Sequence, residues 1–202
     1  MLDFGLAFNQ DKANLSGFSS VGTDYTTSGF FSYKAMQYVY LKQQWESFGA
    51  SFLALNTTFQ DLASGASVGT TSSLLTVGTH FGYKKDKIGF TGNLFIQTGE
   101  RQGEVDVKGA YLASLDLTVK GKVVLGLGAE LISGKTDDSA AFFPLYGTNH
   151  KFNGFMDYFY VGNFHGQAAG RPSGLIDINL KTNFKLNDKN TIALHVHQFI
   201  SP

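Results

Sequence analysis

Short stretches that alternate apolar and polar residues are joined along this chain by connections of two very different lengths, and the two kinds take turns. Tight charged turns fall near 42–46, 84–87, 120–122 and 187–190, with longer polar or aromatic connections between them at about 9–28, 60–71, 98–104 and 133–173. If each alternating stretch is a strand, every tight turn lies at one end of a sheet and every long loop at the other. This end-sorting is the layout of an all-β, antiparallel up-and-down transmembrane β-barrel. A soluble sandwich has no reason to sort its loops by end.

The strand pattern is plainest at 105–119. Val105, Val107, Gly109, Tyr111, Ala113, Leu115, Leu117 and Val119 would share one face, and Asp106, Lys108, Ala110, Leu112, Ser114, Asp116 and Thr118 the other. A period of two is the mark of a strand. The same alternation predicts strands at 123–131, 175–185, 191–200, 73–83 and 88–97, less cleanly at 29–41 and 47–59, and an opening strand at 2–8. Most exceed the roughly 5–6 residues of a globular strand and match what a tilted membrane strand requires. Tyr40, Trp45, Phe48, Tyr83, Phe90 and Phe184 gather near the tight turns, where amphipathic rings would form an interfacial girdle.

Composition narrows the classes further. There are 24 Gly, 19 Phe and 9 Tyr but only 3 Pro, which suits closely paired strands with half-buried faces. A formal charge of zero argues against a nucleic-acid partner. With no cysteine there is neither a disulfide framework nor a thiolate metal site. No apolar run reaches the roughly 18 residues of a membrane helix, yet barrel strands need none, and mean hydropathy stays near zero at -0.07. Met1-Leu2-Asp3-Phe4-Gly5 opens directly in strand-like sequence, without a signal peptide. An odd count of about nine strands, where barrels are usually even, predicts one partial barrel domain over 1–202 that leaves open edges.

The segment 139–171 stands apart, with aromatics at 142, 143, 146, 152, 155, 158, 159, 160 and 164, too many for a solvated loop. It is expected to fold over or into a pore as a constriction carried by Tyr146, His150, Phe152, Phe155, Asp157 and Tyr158. The stretch Leu145-Tyr-Gly-Thr-Asn-His-Lys-Phe-Asn-Gly-Phe-Met-Asp-Tyr-Phe-Tyr160 resembles a loop of the alginate-export family of outer-membrane barrels, in its Bacteroidetes-type branch. The resemblance covers about 140–165 and is architectural elsewhere. It implies a wide monomeric porin of about eighteen strands that passes polysaccharide or small polar solutes, of which this chain would supply roughly half.

The polar strand faces would line the solute path through Lys34, Lys108, Lys181, Asp106, Asp116, Glu130, Asp177, His195 and His197. These charges are mixed, which points away from strong anion selectivity. His195 and His197 share a face, as a metal pair would, but no third ligand follows in the sequence, so two polar lumen residues is the simpler reading. His150 and Asp157 could brace the loop, and no nucleophile with a motif accompanies them. Gly128–Thr136 is one residue too long for a phosphate loop. Gly78, Gly82, Gly89, Gly92, Gly126 and Gly128 are read as bulges or tight interstrand contacts. The expectation is thus a channel without cofactor or enzymatic activity. It would sit in the outer membrane of a Gram-negative bacterium, with lipid bilayer or lipopolysaccharide around it. A barrel with binding or adhesive loops, or a soluble lipocalin-like carrier with its apolar face inward, is the alternative.

Overall fold

The computed structural model describes residues 1–8, 33–60, 71–101, 105–145 and 174–201. They form one antiparallel sheet of nine strands in chain order: β1 (Leu2–Phe8), β2 (Ala35–Gln44), β3 (Phe48–Gln60), β4 (Thr71–Lys85), β5 (Ile88–Arg101), β6 (Val105–Lys120), β7 (Val123–Ser133), β8 (Gly174–Lys185) and β9 (Thr191–Ile200). Neighbours in sequence are neighbours in the sheet throughout, so the topology is up-and-down. β1 and β9 are the edges and do not pair with each other, leaving the sheet open as expected. Among the described residues no helix is long and apolar enough to cross a membrane.

All four tight turns lie at one end. The β4–β5 turn is two residues, and Asp86 takes a φ of 51°, the positive value that matches the twist of a two-residue hairpin. The β8–β9 turn is closed by Leu186 N–H donating to Asn190 O at 2.9 Å and braced by Lys189 N–H on Asn187 Oδ1 at 2.9 Å. The other connections leave from the opposite end, but one of them is not long. β5 runs on to Arg101, so only residues 102–104 separate it from β6 where the sequence suggested a loop over 98–104. β2 likewise starts at Ala35 rather than near 29.

Register assigns every side chain to a face, because directly paired residues point the same way. One row runs Ser51, His80, Asn93, Ser114, Glu130, Asp177, Phe199 across β3 to β9. The alternate face carries Phe52, Leu94, Leu115, Leu127, Leu180 and Val196, all exposed, since among the described residues no second layer covers them. The two faces differ in crowding. Gln97 and Asn179 on the polar face are 1% and 6% exposed, while Leu115 and Leu127 on the apolar face are 54% and 58% exposed. In a single-layer sheet that asymmetry comes from curvature, with the polar face concave.

The unbroken alternation read at 105–119 does not hold. Gln97 pairs with Ala110 and Thr98 with Lys108, leaving Gly109 as the extra residue of a β-bulge at φ 76°. A glycine tolerates that backbone without the Cβ clash other residues meet. Beyond the bulge the faces exchange: Val107 joins Ala110 on the concave side, 1% exposed, and Asp106 and Lys108 turn outward. The concave side at this end is a small apolar core of Phe59, Leu74, Val107, Ala110, Ile132 and Leu175, closed by Ala140 and Phe142.

Candidate functional site

The described start of the long loop is a strap laid across the loop end of the concave face. After β7 the chain swings out and returns alongside the free upper part of β6. Lys108 N–H donates to Ser139 Oγ at 2.8 Å, and Ala140 N–H donates to Asp106 O at 2.8 Å. It then crosses inward, where Phe142, 5% exposed, fills the core. Gln97 of β5 anchors the next residue as a second backbone would. Phe143 N–H donates to Gln97 Oε1 at 2.8 Å, and Gln97 Nε2 donates to Phe143 O at 2.7 Å and to Thr76 Oγ1 at 3.1 Å. A buried carboxamide is tolerable only when its donors and acceptor are engaged in this way. The Arg101 guanidinium lies 5.0 Å over the Phe143 ring, adding a cation–π contact at the rim.

Below the strap the concave face becomes polar and paired. His80 Nδ1 meets Asn93 Oδ1 at 2.8 Å, and Asn93 Nδ2 donates to Ser114 Oγ at 2.9 Å, linking β4, β5 and β6 along one register row. Lys181 on β8 reaches over β7 to Asp116 on β6, Nζ to Oδ1 at 3.2 Å. Glycines on β7 make that span possible. Asp116 and Asn179 converge over Gly128, where even a Cβ would lie 2.4 Å from the Asp116 carboxylate. His197 Nδ1 sits 2.9 Å from Asp177 Oδ2 and 3.0 Å from Oδ1, its ring stacked on Phe199 at 5.4 Å. Thr91 and Asn179 complete this belt, and Asn179 Oδ1 is a buried acceptor without a partner among the described residues.

The residues expected to line a pore therefore divide. Asp116, Glu130, Asp177, Lys181, His195 and His197 share the concave face. Asp106 and Lys108 do not; the Gly109 bulge turns them to the other side, where they pair with each other at 3.4 Å. Lys34 sits before β2 at the rim, its Nζ 4.7 Å over the Phe8 ring. Tyr146, His150, Phe152, Phe155, Asp157 and Tyr158 lie outside the described residues. Among the described residues no group of three His, Asp or Glu could hold a metal ion. Gln97, Asn93 and Thr76, which organise the site, were legible only as polar strand positions.

Of the glycines read as bulges or tight interstrand contacts, Gly78 and Gly92 are the latter: Gly78 takes the ring of its cross-strand partner Phe95 against its backbone, and Gly92 that of Phe81. Near the tight turns the convex face holds Trp45 and Phe48 at 5.5 Å and Tyr83 stacked on Phe90 at 5.2 Å, with Phe184 exposed on β8. Tyr40 is not with them; it pairs with Leu53, on the concave side. Compared with protein-family models, curated proteins and solved structures, the chain matches none.

Proposed function

We propose that this chain forms wall of an outer-membrane β-barrel channel for small polar solutes, with the polar belt as its path and the 134–145 strap narrowing its loop-end mouth. One observation carries the reading: among the described residues the sheet has no second layer, exposes a continuous apolar face and crowds paired polar groups onto the other. In water each exposed Leu or Ile would forgo about 1.5–3 kcal/mol of burial, and an apolar patch of this extent calls for a membrane or partner to cover it. Strand backbones survive in hydrocarbon only when paired, so β1 and β9 need further strands beside them. The aromatic pairs at the tight turns suit a headgroup boundary. The likeness of 145–160 to the alginate-export loop favours polysaccharide or small polar solutes, and the mixed charges of the belt favour weakly charged ones.

A lipocalin-like carrier would need the crowded face apolar along its length; here it is apolar only at the loop end, and mid-strand residues such as Leu94, Leu115, Leu127 and Leu180 are on the open face. An adhesive barrel with a blocked lumen is separated by conductance. The protein should give discrete channel events in planar bilayers, and deleting residues 140–165 should raise the single-channel conductance. Unchanged conductance removes the constriction role; absence of events removes the channel.

A further inference from the structure

On the convex face the apolar residues keep one height from strand to strand. β4 to β8 each present five successive outward positions without a charge, over 75–83, 88–96, 111–119, 123–131 and 176–184. Apart from two tyrosines, the only polar side chains among them are Thr79 and Thr182. Beyond them at the loop end the outward positions turn polar at once, with Ser73, Thr98, Lys108 and Ser133.

The two edges of this band are parallel, and both run oblique to the strand register. At the loop end the edge passes from Leu75 to Ile96, one outward row lower because Ile96 pairs with Val77. It holds at Tyr111, the partner of Ile96, then drops one more row to Leu131, the partner of Ala113, and holds at Ile176. At the turn end it passes from Tyr83 down to Ile88, whose partner is Lys85, holds at Val119, and drops again to Val123 and Phe184. Each edge therefore slips by one residue per strand. Four residues of slip make about 14 Å against about 19 Å for four strand spacings, a lean of about 35°.

We infer that this oblique band is the surface that meets the hydrocarbon of the bilayer, and that it sets the strands leaning by about 35° from the membrane normal. The assignment rests on the bilayer reading above and adds where the lipid contact begins and ends on each strand. A packed partner would have no reason to demand equal height and parallel edges on five strands, whereas a slab of hydrocarbon imposes both. The lean falls at the lower end of the range of about 35–45° for closed barrels. Five outward positions span about 27 Å of strand, and at that lean they cover about 22 Å of height, near the apolar band of about 25 Å in outer-membrane barrels. The Gly109 bulge keeps Lys108 and Asp106 just above the upper edge, where a charge avoids the tails. On β2 and β3 the band is interrupted by Gln37 and Asn56, whose amides engage each other at 2.8 Å.

The test uses residues that share a register row but differ in depth if the band is oblique. Thr79 and Leu131 lie in one row, Tyr83 and Leu180 in another. Thr79 and Leu180 are central in their strands' runs, while Leu131 and Tyr83 stand at edges, about 11 Å from the midplane. The chain has no cysteine, so T79C, L131C, Y83C and L180C can each carry a single bimane label. With the whole protein folded in vesicles of phosphatidylcholine brominated near the chain ends, the labels at 79 and 180 should lose most of their fluorescence and those at 131 and 83 little. Equal quenching within each row would mean that the hydrocarbon runs along the rows, and the oblique band would fall. Polarised infrared spectroscopy of the wild type in oriented bilayers, which needs no variant, should give a strand lean of about 35°; upright strands would overturn the assignment as well. Absence of quenching at all four positions would remove the bilayer reading beneath it.

Discussion

The concave face solves one problem in two ways along its length. At the loop end it is closely packed and mainly apolar, with Phe59, Leu74, Val107, Ala110, Ile132 and Leu175 under Phe142 of the strap. Towards the tight turns it is polar, and charged and amide groups lean on one another across the sheet: His80 on Asn93, Lys181 on Asp116, His197 on Asp177. The first region obtains its order from packing and is stabilised by burial. The second obtains it from geometry and spends little apolar area. On the channel reading proposed above, a wall rigid at its mouth and polar along its path needs both.

If packing holds the strap, its core residue should carry the largest effect. Phe142→Ala leaves a cavity among six buried side chains and should cost about 3–5 kcal/mol, read as a lowered midpoint in denaturant unfolding of the folded protein in detergent. A change below about 1 kcal/mol would mean the strap rides on the face without ordering it, and the two regions would differ in polarity alone.

The comparison between the faces should break at mid-strand. Leu127→Arg puts a cation in the exposed apolar band and should cost about 2–4 kcal/mol when the protein folds into a bilayer, whereas Ser114→Arg on the concave face should be tolerated. Folding yield in vesicles, followed by the electrophoretic shift between folded and heated protein, reports the difference. Equal losses at the two positions would cancel the assignment of the convex face to lipid.

How much of this was legible beforehand follows from what each signal measures. Nine strands, their order and the end-sorting of the tight turns rest on local alternation and turn chemistry, which a sequence displays directly. Faces rest on parity, and parity is lost by a single inserted residue. Val105, Val107, Gly109 and Tyr111 alternate faultlessly as letters, yet the Gly109 bulge sends Val107 inward and Tyr111 outward. A glycine inside a strand was the available signal, together with the oddity of Asp106 and Lys108 joining the polar face beside an otherwise apolar upper end. The strap was legible as an aromatic excess, but its anchor was not. Gln97 is an ordinary polar strand residue until the fold brings Phe143 within 2.7 Å of it, 46 positions away.

The smallest effect on stability should give the sharpest reading of the path. Lys181 and Asp116 are each 39% exposed at the side chain, so solvent screens their attraction, and Asp116→Asn should change stability by less than about 1 kcal/mol. Its effect on ions should be larger in kind: the neutral amide leaves the Lys181 charge uncompensated within the belt. Reversal potentials across a salt gradient in planar bilayers should then shift toward anion preference, and the shift should shrink as salt shortens the screening length below about 10 Å. Asp106→Asn is the matched control, because the bulge places that carboxylate on the convex face beside Lys108. It should leave the reversal potential unchanged. Equal shifts from the two variants would mean that both carboxylates face one lumen, and the exchange of faces at Gly109 would have to be abandoned.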